Sequence, residues 1–405
     1  MRIIRKKISN IALVAVLLTA PAATFGADAG ATVTKSIAVA PKVPGKEREA
    51  KIGLTEVTAV GAEKGFFQEE YAKVNAKPTF INITQISGVS GVEASLLDRG
   101  DLDITVRMAY PALQHRANGL DAVVIWEGIN PNPRRATTIV LANGNIKTAA
   151  DVKGKIYGAS LIGCPYYAGV ESLKAEGLTV DTDLQKGDVR FVNITGVAAV
   201  SAFLAGRIDV YGAHPATASV ASLFVQNQVR EVTKAVPDGA YVTGGGREMY
   251  FAMRQWANKN PDLVKAFLAG WDRTVRWLNA DNGANRDEAS RIAARALREP
   301  VAVAKYDLFD ESTIGWSWGV PDAQDVVDSI KRFQSWNIAN KDPFYTRHHL
   351  SDKEIEAFVD KRFFVGGEYF VDTSEHPQTA ATAANNAQPA PAKPDTQLAI
   401  ASTIK

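Results

Sequence analysis

The chain has 405 residues, one cysteine, 22% charged residues and a formal charge of +2. A single cysteine excludes an internal disulfide, so the fold must rest on core packing. Nearly balanced charge without a basic stripe excludes a phosphate-neutralising nucleic-acid surface.

In chain order, Arg2, Arg5, Lys6 and Lys7 precede an apolar run over Ile11–Leu18, and small residues follow with an A-x-A choice at Ala27–Ala29. This reads as a secretory signal peptide over 1–29, too short to span a membrane. No cysteine stands near the cleavage zone, so no lipid anchor is expected and the chain is predicted to be free in the periplasm. Without those four basic residues the formal charge falls from +2 to −2. Residues 30–48 read as a linker. The tail over 372–405, with "TAATAANNAQPAPAKPDTQLA", has no strand or helix period and is predicted to be disordered. The body of about 320 residues suggests two domains.

The body alternates strands and helices. A strand is predicted over Lys51–Val57, a helix over Ala59–Tyr71 and a strand over Thr79–Ile86. "EASLLDRG" reads as a helix ending at Gly100, "LDITV" as a strand, "ALQHRANG" as a helix and "AVVIW" as a strand. The pattern then restarts. "DVKGKIYGAS" gives a strand, "PYYAGVESLKAEG" a helix, "VRFVNI" a strand, "VAAVSAFLAG" a helix ending at Gly206 and "RIDVYGA" a strand. "LLDRGDLDI" and "FLAGRIDV" share one order: helix, Gly, any residue, Leu or Ile, Asp, then a β-branched residue. Two halves built on one plan are expected, each an open α/β sheet with mostly parallel strands.

After Tyr241 the chain reads as mainly helical. "NPDLVKAFLAGWDRTVRWLNA" places Leu263, Phe267, Trp271, Val275 and Leu278 on one stripe. "EASRIAARALRE", "AQDVVDSIKRFQSWN" and "SDKEIEAFVDKRFF" follow, the last with a capping box of Ser351 and Glu354. Trp271, Trp277, Trp316, Trp318 and Trp336 are read as core and packing aromatics rather than a ligand cage.

Strand–turn–helix joints at the carboxyl edge of a parallel sheet are where ligands bind. A helix start offers unpaired N–H groups and the positive end of its dipole, which together hold an anion. "ASLIGCPYY" supplies Ser160, Gly163 and Cys164, with Pro165 opening the helix. "QISGVSGVEASLL" supplies Ser87, Gly88, Val89, Ser90 and Gly91 before a helix of the first half. Two such starts, one per half, can grip a small organic anion between them. A competing reading makes Cys164 a nucleophile with His214, which ends the "RIDVYG" strand, as its base. His348 and His349 are adjacent and lack a carboxylate at ligand spacing, so no metal is expected. "GGGRE" over Gly244–Glu248 lacks the Lys-Ser/Thr of a phosphate loop, and no cofactor is expected.

"AEKGFFQEE", "GVEASLLDRGDLDI", "IKTAADVKGKIYGAS", "FLAGRIDV…HPA" and "NPDLVKAFLAGWDRTVRWL" span about 60–280 in an order that resembles the periplasmic solute-binding proteins of ABC importers for aliphatic sulfonates, taurine and nitrate. The resemblance implies a two-lobe type II Venus-flytrap fold, here with a helical C-terminal extension. It implies crossovers near 127–150 and 236–250, with lobe 1 over 49–135 and 243–371 and lobe 2 over 136–242. It maps ligand turns onto Thr55–Thr58, Ser87–Ser90, Met108–Pro111, Ser160–Cys164 and His214–Pro215, so Thr55, Thr58, Met108, Tyr110, Tyr166 and His214 join the candidate site. A membrane permease is the implied partner, and the chain is expected to act as a monomer without enzymatic activity.

The chain departs from that family at Ala213–His214, at Cys164 and over Ile129–Ala136. A larger, aromatic sulfonate is therefore an option, with Tyr110, Trp126, Tyr166 and Tyr167 lining an enlarged site. An aromatic sulfinate desulfinase shares the fold and uses a cysteine, but after its first strand, where this chain has "LTEVT". A Cys164-dependent hydrolase or desulfinase and a thiamin-precursor (pyrimidine) binder remain the alternatives.

Overall fold

A computed structural model describes residues 45–83, 92–128, 136–161, 163–214, 218–233, 236–280, 284–309 and 321–364. The predicted signal peptide, most of the predicted linker, the C-terminal tail, Ser87–Ser90, Trp316 and Trp318 lie outside the described residues.

The first half runs β1 (Arg48–Gly53), α1 (Glu56–Glu63), α2 (Phe66–Ala72), β2 (Ala76–Ile81), α3 (Val92–Arg99), β3 (Ile104–Met108), α4 (Ala109–Ala117) and β4 (Ala122–Gly128). The second half runs β5 (Thr137–Leu141), β6 (Ile156–Ala159), α5 (Cys164–Ala175), β7 (Val180–Asp181), β8 (Val189–Asn193), α6 (Gly196–Leu204), β9 (Val210–Ala213), α7 (Ala218–Val225) and β10 (Val229–Thr233). The chain then returns through β11 (Glu248–Met253) and ends in α8 (Arg254–Lys259), α9 (Pro261–Asn279), α10 (Arg286–Leu297), α11 (Val301–Phe309), α12 (Ala323–Ala339) and α13 (Asp352–Phe358).

Two sheets form, with strand orders β2-β1-β3-β11-β4 and β7-β8-β6-β9-β5-β10. The orders correspond strand by strand apart from β7, which adds a sixth strand at one edge of the second sheet. In each, three neighbouring strands, β2-β1-β3 and β8-β6-β9, run parallel, with β7 adding a fourth in the second sheet, and an antiparallel strand, β11 or β5, lies next to the last of them. β11 pairs with both β3 and β4, and β5 with both β9 and β10. The sheets are thus mixed, and their parallel bodies are the strands the alternation predicts.

The shared motif has a shared structure. Gly100 and Gly206 end their helices at φ +70° and +68°, a conformation that favours glycine. Three residues on, the backbone N–H of Asp103 donates to the Lys51 carbonyl at 2.8 Å, and its carboxylate accepts from the Lys51 N–H at 2.8 Å. Asp209 makes the same pair of bonds with Ile156, at 3.0 and 2.9 Å. Each aspartate therefore fastens the third parallel strand of its sheet to the first.

Several boundaries differ from the predicted ones. The strand expected over Lys51–Val57 stops at Gly53, because Thr55 and Thr58 form a capping box that starts α1. The helix expected over Ala59–Tyr71 breaks in two at Gly65, φ +77°. β5, β10 and β11 were not predicted, and β11 interrupts the stretch expected to be helical.

The stripe on α9 is buried as its period predicts, with Leu263, Phe267, Trp271, Val275 and Leu278 each no more than 1% exposed. Burying each of the Leu, Phe and Val side chains contributes at most about 1.5–3 kcal/mol. They pack with Phe67 and Trp126 over one face of the first sheet. A second cluster covers the other face and joins Met108, Tyr110, Phe333, Tyr345 and Phe358 to Cys164 and Tyr167 of α5. This core is common to both halves. The crossovers are tied beside it. Arg247, just before β11, donates to Glu127 of β4 at 2.6 Å and pairs with Asp325 of α12 at 2.9 Å. Farther off, Phe224 of α7 stacks on Tyr306 of α11, centroids 5.6 Å apart.

Candidate functional site

The turns after β1, β3, β6 and β9 carry the described candidate residues. Thr58 is fully buried, and its hydroxyl accepts from the Thr55 N–H at 2.7 Å and donates to the Gly53 carbonyl at 3.2 Å. Thr55 is half-buried, and its hydroxyl accepts from the Thr58 N–H at 3.2 Å. Both side chains thus serve the start of α1. His214 is half-buried directly after β9, while its neighbour Ala213 packs with α6 and α7.

The turns after β3 and β6 meet. Met108 caps α4 without a side-chain bond, and Tyr110 in its first turn is 0% exposed. Across from it Cys164 and Tyr167 open α5, 4% and 2% exposed. A chain of hydrogen bonds passes between the helices. Gln114 donates to the Tyr110 hydroxyl, Tyr110 donates to Tyr167 at 2.5 Å, and Tyr167 donates to Asp342 at 2.8 Å. Burial raises both phenols well above their ordinary range, so each stays a neutral donor. Tyr166 is half-buried against Tyr167 and Phe191, and burial pushes its phenol up to about 12.

At the start of α5 the Ser160 carbonyl accepts from the Gly163 N–H at 3.0 Å, and Gly163 caps the helix with no side chain to satisfy its free amides. The Ser160 hydroxyl oxygen is buried and has no hydrogen-bond partner among the described residues. Burial pushes the Cys164 thiol up to about 12, against the pull of the Arg107 charge, its own backbone N–H and the Tyr241 hydroxyl. A thiol held this high is protonated at neutral pH and is a poor nucleophile.

Arg107 was not among the predicted residues. It is the penultimate residue of β3, and its guanidinium pairs with Glu93 in the first turn of α3 at 3.3 Å. On α4, His115 is pushed down to about 4, first by burial and then by the Arg107 charge, with Glu93 opposing. The only sequence signal for Arg107 was a basic residue inside a strand next to its carboxyl end. Among the described residues no group of three or more His, Cys, Asp or Glu side chains could hold a metal, and no helix is long and apolar enough to cross a membrane.

Two sheets of matching order, joined by two crossovers and meeting at the turns beyond their parallel strands, make the two-lobe type II periplasmic-binding-protein fold. The periplasmic aliphatic sulphonate binding protein SsuA from Escherichia coli superposes with a TM-score of 0.61 at 17% identity, covering 79% of this chain and 99% of that one. The desulfurization enzyme DSZB shares the fold at a TM-score of 0.51 and 13% identity, covering 78% and 98%. Residues 57–282, more than half of the chain, match the NMT1/THI5-like family, to which this protein belongs. A curated Escherichia coli (strain K12) protein named for binding aliphatic sulfonates is 27% identical over 208 residues. That match spans 51% of this chain and 59% of the relative. The resemblance read from the sequence is confirmed.

Proposed function

We propose that the protein is the periplasmic solute-binding component of an ABC importer and captures a small organic anion, a sulfonate in the first instance, between its lobes. The observation that carries this reading is the convergence of the β3–α4 and β6–α5 turns on one buried cluster, which also holds Leu96 and Leu97 of α3. This closeness of helix starts from both halves supports anion capture by their backbone amides. The ligand would bridge the lobes and stabilise their closed arrangement, which then docks on a membrane permease. The sheet membership of β4, β5, β10 and β11 supports a lobe division at 135/136 and 242/243.

A non-enzymatic role is supported by Cys164, whose thiol is buried and protonated. A nucleophile would need the opposite environment. A thermal-shift screen of the mature chain with alkyl and aryl sulfonates, nitrate, aromatic acids and pyrimidines tests the reading. Stabilisation that grows with sulfonate concentration supports it. A response confined to pyrimidines replaces it, and turnover of an aromatic sulfinate that Cys164→Ser abolishes overturns it.

A further inference from the structure

Arg107 is fixed on one side only. Its Nη1 pairs with Glu93 at 3.3 Å, whereas its Nε–H is buried and meets no acceptor among the described residues. Its side chain is 21% exposed. It stands at the carboxyl end of β3, antiparallel to Met249 of β11, between Val106 and Met108. Met108 shares its apolar cluster with Cys164 of the other lobe, and the Arg107 charge reaches the Cys164 thiol. Three residues before the Gly163 cap of α5, the start of that turn adds the Ser160 hydroxyl, which is also buried and has no partner among the described residues. The His115 Nε2 on α4 is a third buried polar atom without a partner, on a ring that is neutral at pH 7.

A buried donor left unpaired is costly, so such a group calls for a partner, either an ordered water or a ligand. A guanidinium presents two further donors in a rigid plane that fits the edge of an oxyanion. The start of α5 adds free amides and a positive dipole from the opposite lobe. Glu93 balances the arginine in the absence of a ligand and competes with any incoming anion for it.

We propose that Arg107 is the charged residue that selects an oxyanion headgroup, with Ser160 completing the grip from the second lobe and Glu93 acting as the built-in counterion that moderates affinity. This rests on the solute-binding reading above. It adds a cationic anchor to a site otherwise made of backbone amides and hydroxyls, and it predicts rejection of neutral isosteres.

The test is calorimetric titration of the full mature chain with propane-1-sulfonate and benzenesulfonate, each against the matching neutral sulfonamide. The wild-type chain binds a sulfonate and not its sulfonamide. Arg107→Lys weakens sulfonate binding about tenfold and Arg107→Met about a hundredfold, as expected for losing one partner of a desolvated charge pair. Glu93→Gln, which keeps the guanidinium, tightens it about threefold. Circular dichroism and the ligand-free melting temperature report whether each variant folds. If Arg107→Met fails to fold, Arg107→Lys and Glu93→Gln decide. Wild-type affinity in Arg107→Met, or unchanged or weaker binding in Glu93→Gln, overturns the inference while leaving the solute-binding reading standing. No response of the wild-type chain to either sulfonate overturns the sulfonate assignment and the inference with it.

Discussion

The hydroxyls of Tyr110 and Tyr167 lie 2.5 Å apart, one on the helix that follows β3 and the other on the helix that follows β6. Their rings approach to 3.8 Å between centroids, and Asp342, from the turn after α12, accepts from the second hydroxyl. Three distant parts of the chain are therefore joined in one dry place.

That contact predicts unequal costs for two similar substitutions. Tyr110→Phe removes the hydrogen bond to Tyr167 and the one accepted from buried Gln114, and should cost about 1–2 kcal/mol. Tyr167→Phe also strips an acceptor position on the buried Asp342, and should cost about 2–3 kcal/mol. Urea unfolding of the two single variants and the double variant measures this. Additive effects would show that the pair is not coupled.

Asp103 and Asp209 make equivalent bonds in the two sheets, so their alanine variants should behave alike. Each leaves one backbone N–H, of Lys51 or of Ile156, without its carboxylate, at about 1–2 kcal/mol. A difference above about 2 kcal/mol between the two, read from urea midpoints, would break the equivalence.

Cys164 should be chemically quiet. Its thiol titrates at about 12 and is 4% exposed, so iodoacetamide at pH 8 should modify the native chain at least about a hundredfold more slowly than the urea-unfolded chain. Cys164→Ser should retain ligand affinity within about threefold. Rapid labelling of the native protein would show a thiolate and revive the nucleophile.

Two buried groups predict opposite pH trends. His115 titrates at about 4 in the fold, below its ordinary value of 6.5. Its unfolded form takes up the proton more readily, so its neutral burial supports stability fully above pH 6.5. That support is lost as pH falls from 6.5 to 4, by up to about 3 kcal/mol. Glu299 is held up at about 7 by burial and by the Glu56 charge. Here the folded form keeps its proton, so stability declines as pH rises from 4.5 to 7. Solvent screening limits the loss to about 1 kcal/mol. His115→Gln should flatten the acid side of the stability profile, and Glu299→Gln should stabilise at pH 8 but not at pH 4. Unfolding curves across pH 4–8 check both signs.

Short-range pattern made part of this legible. The stripe on α9 and the parallel strands repeat over a few residues, and the Gly-x-Leu/Ile-Asp joint repeats between the halves. The antiparallel strands β5 and β11 were not legible. "TTIVL" is five residues long, and "EMYFAM" suits a helix as well as a strand. What makes β11 a strand is the slot between β3 and β4, a tertiary fact. The candidate site divides in the same way. Small residues before a helix marked the turn at Ser160–Cys164. Arg107 in "ITVRM" looked like any strand residue facing water, and its pairing with Glu93 exists only once α3 and β3 are side by side. Tyr167 and Asp342 are 175 positions apart, beyond any local period.

Because β11 ends at Met253, the sheet begun at Arg48 stays unfinished until that residue has left the ribosome. Until then β3 and β4 lack their common neighbour, and the amides along both remain open to solvent. The long-range pairing of β11 with β3 and β4 thus delays compaction of the first sheet. The same pairing means that cutting the gene between β4 and β5 would leave the first sheet without β11, while the second sheet, continuous from β5 to β10, would stay whole.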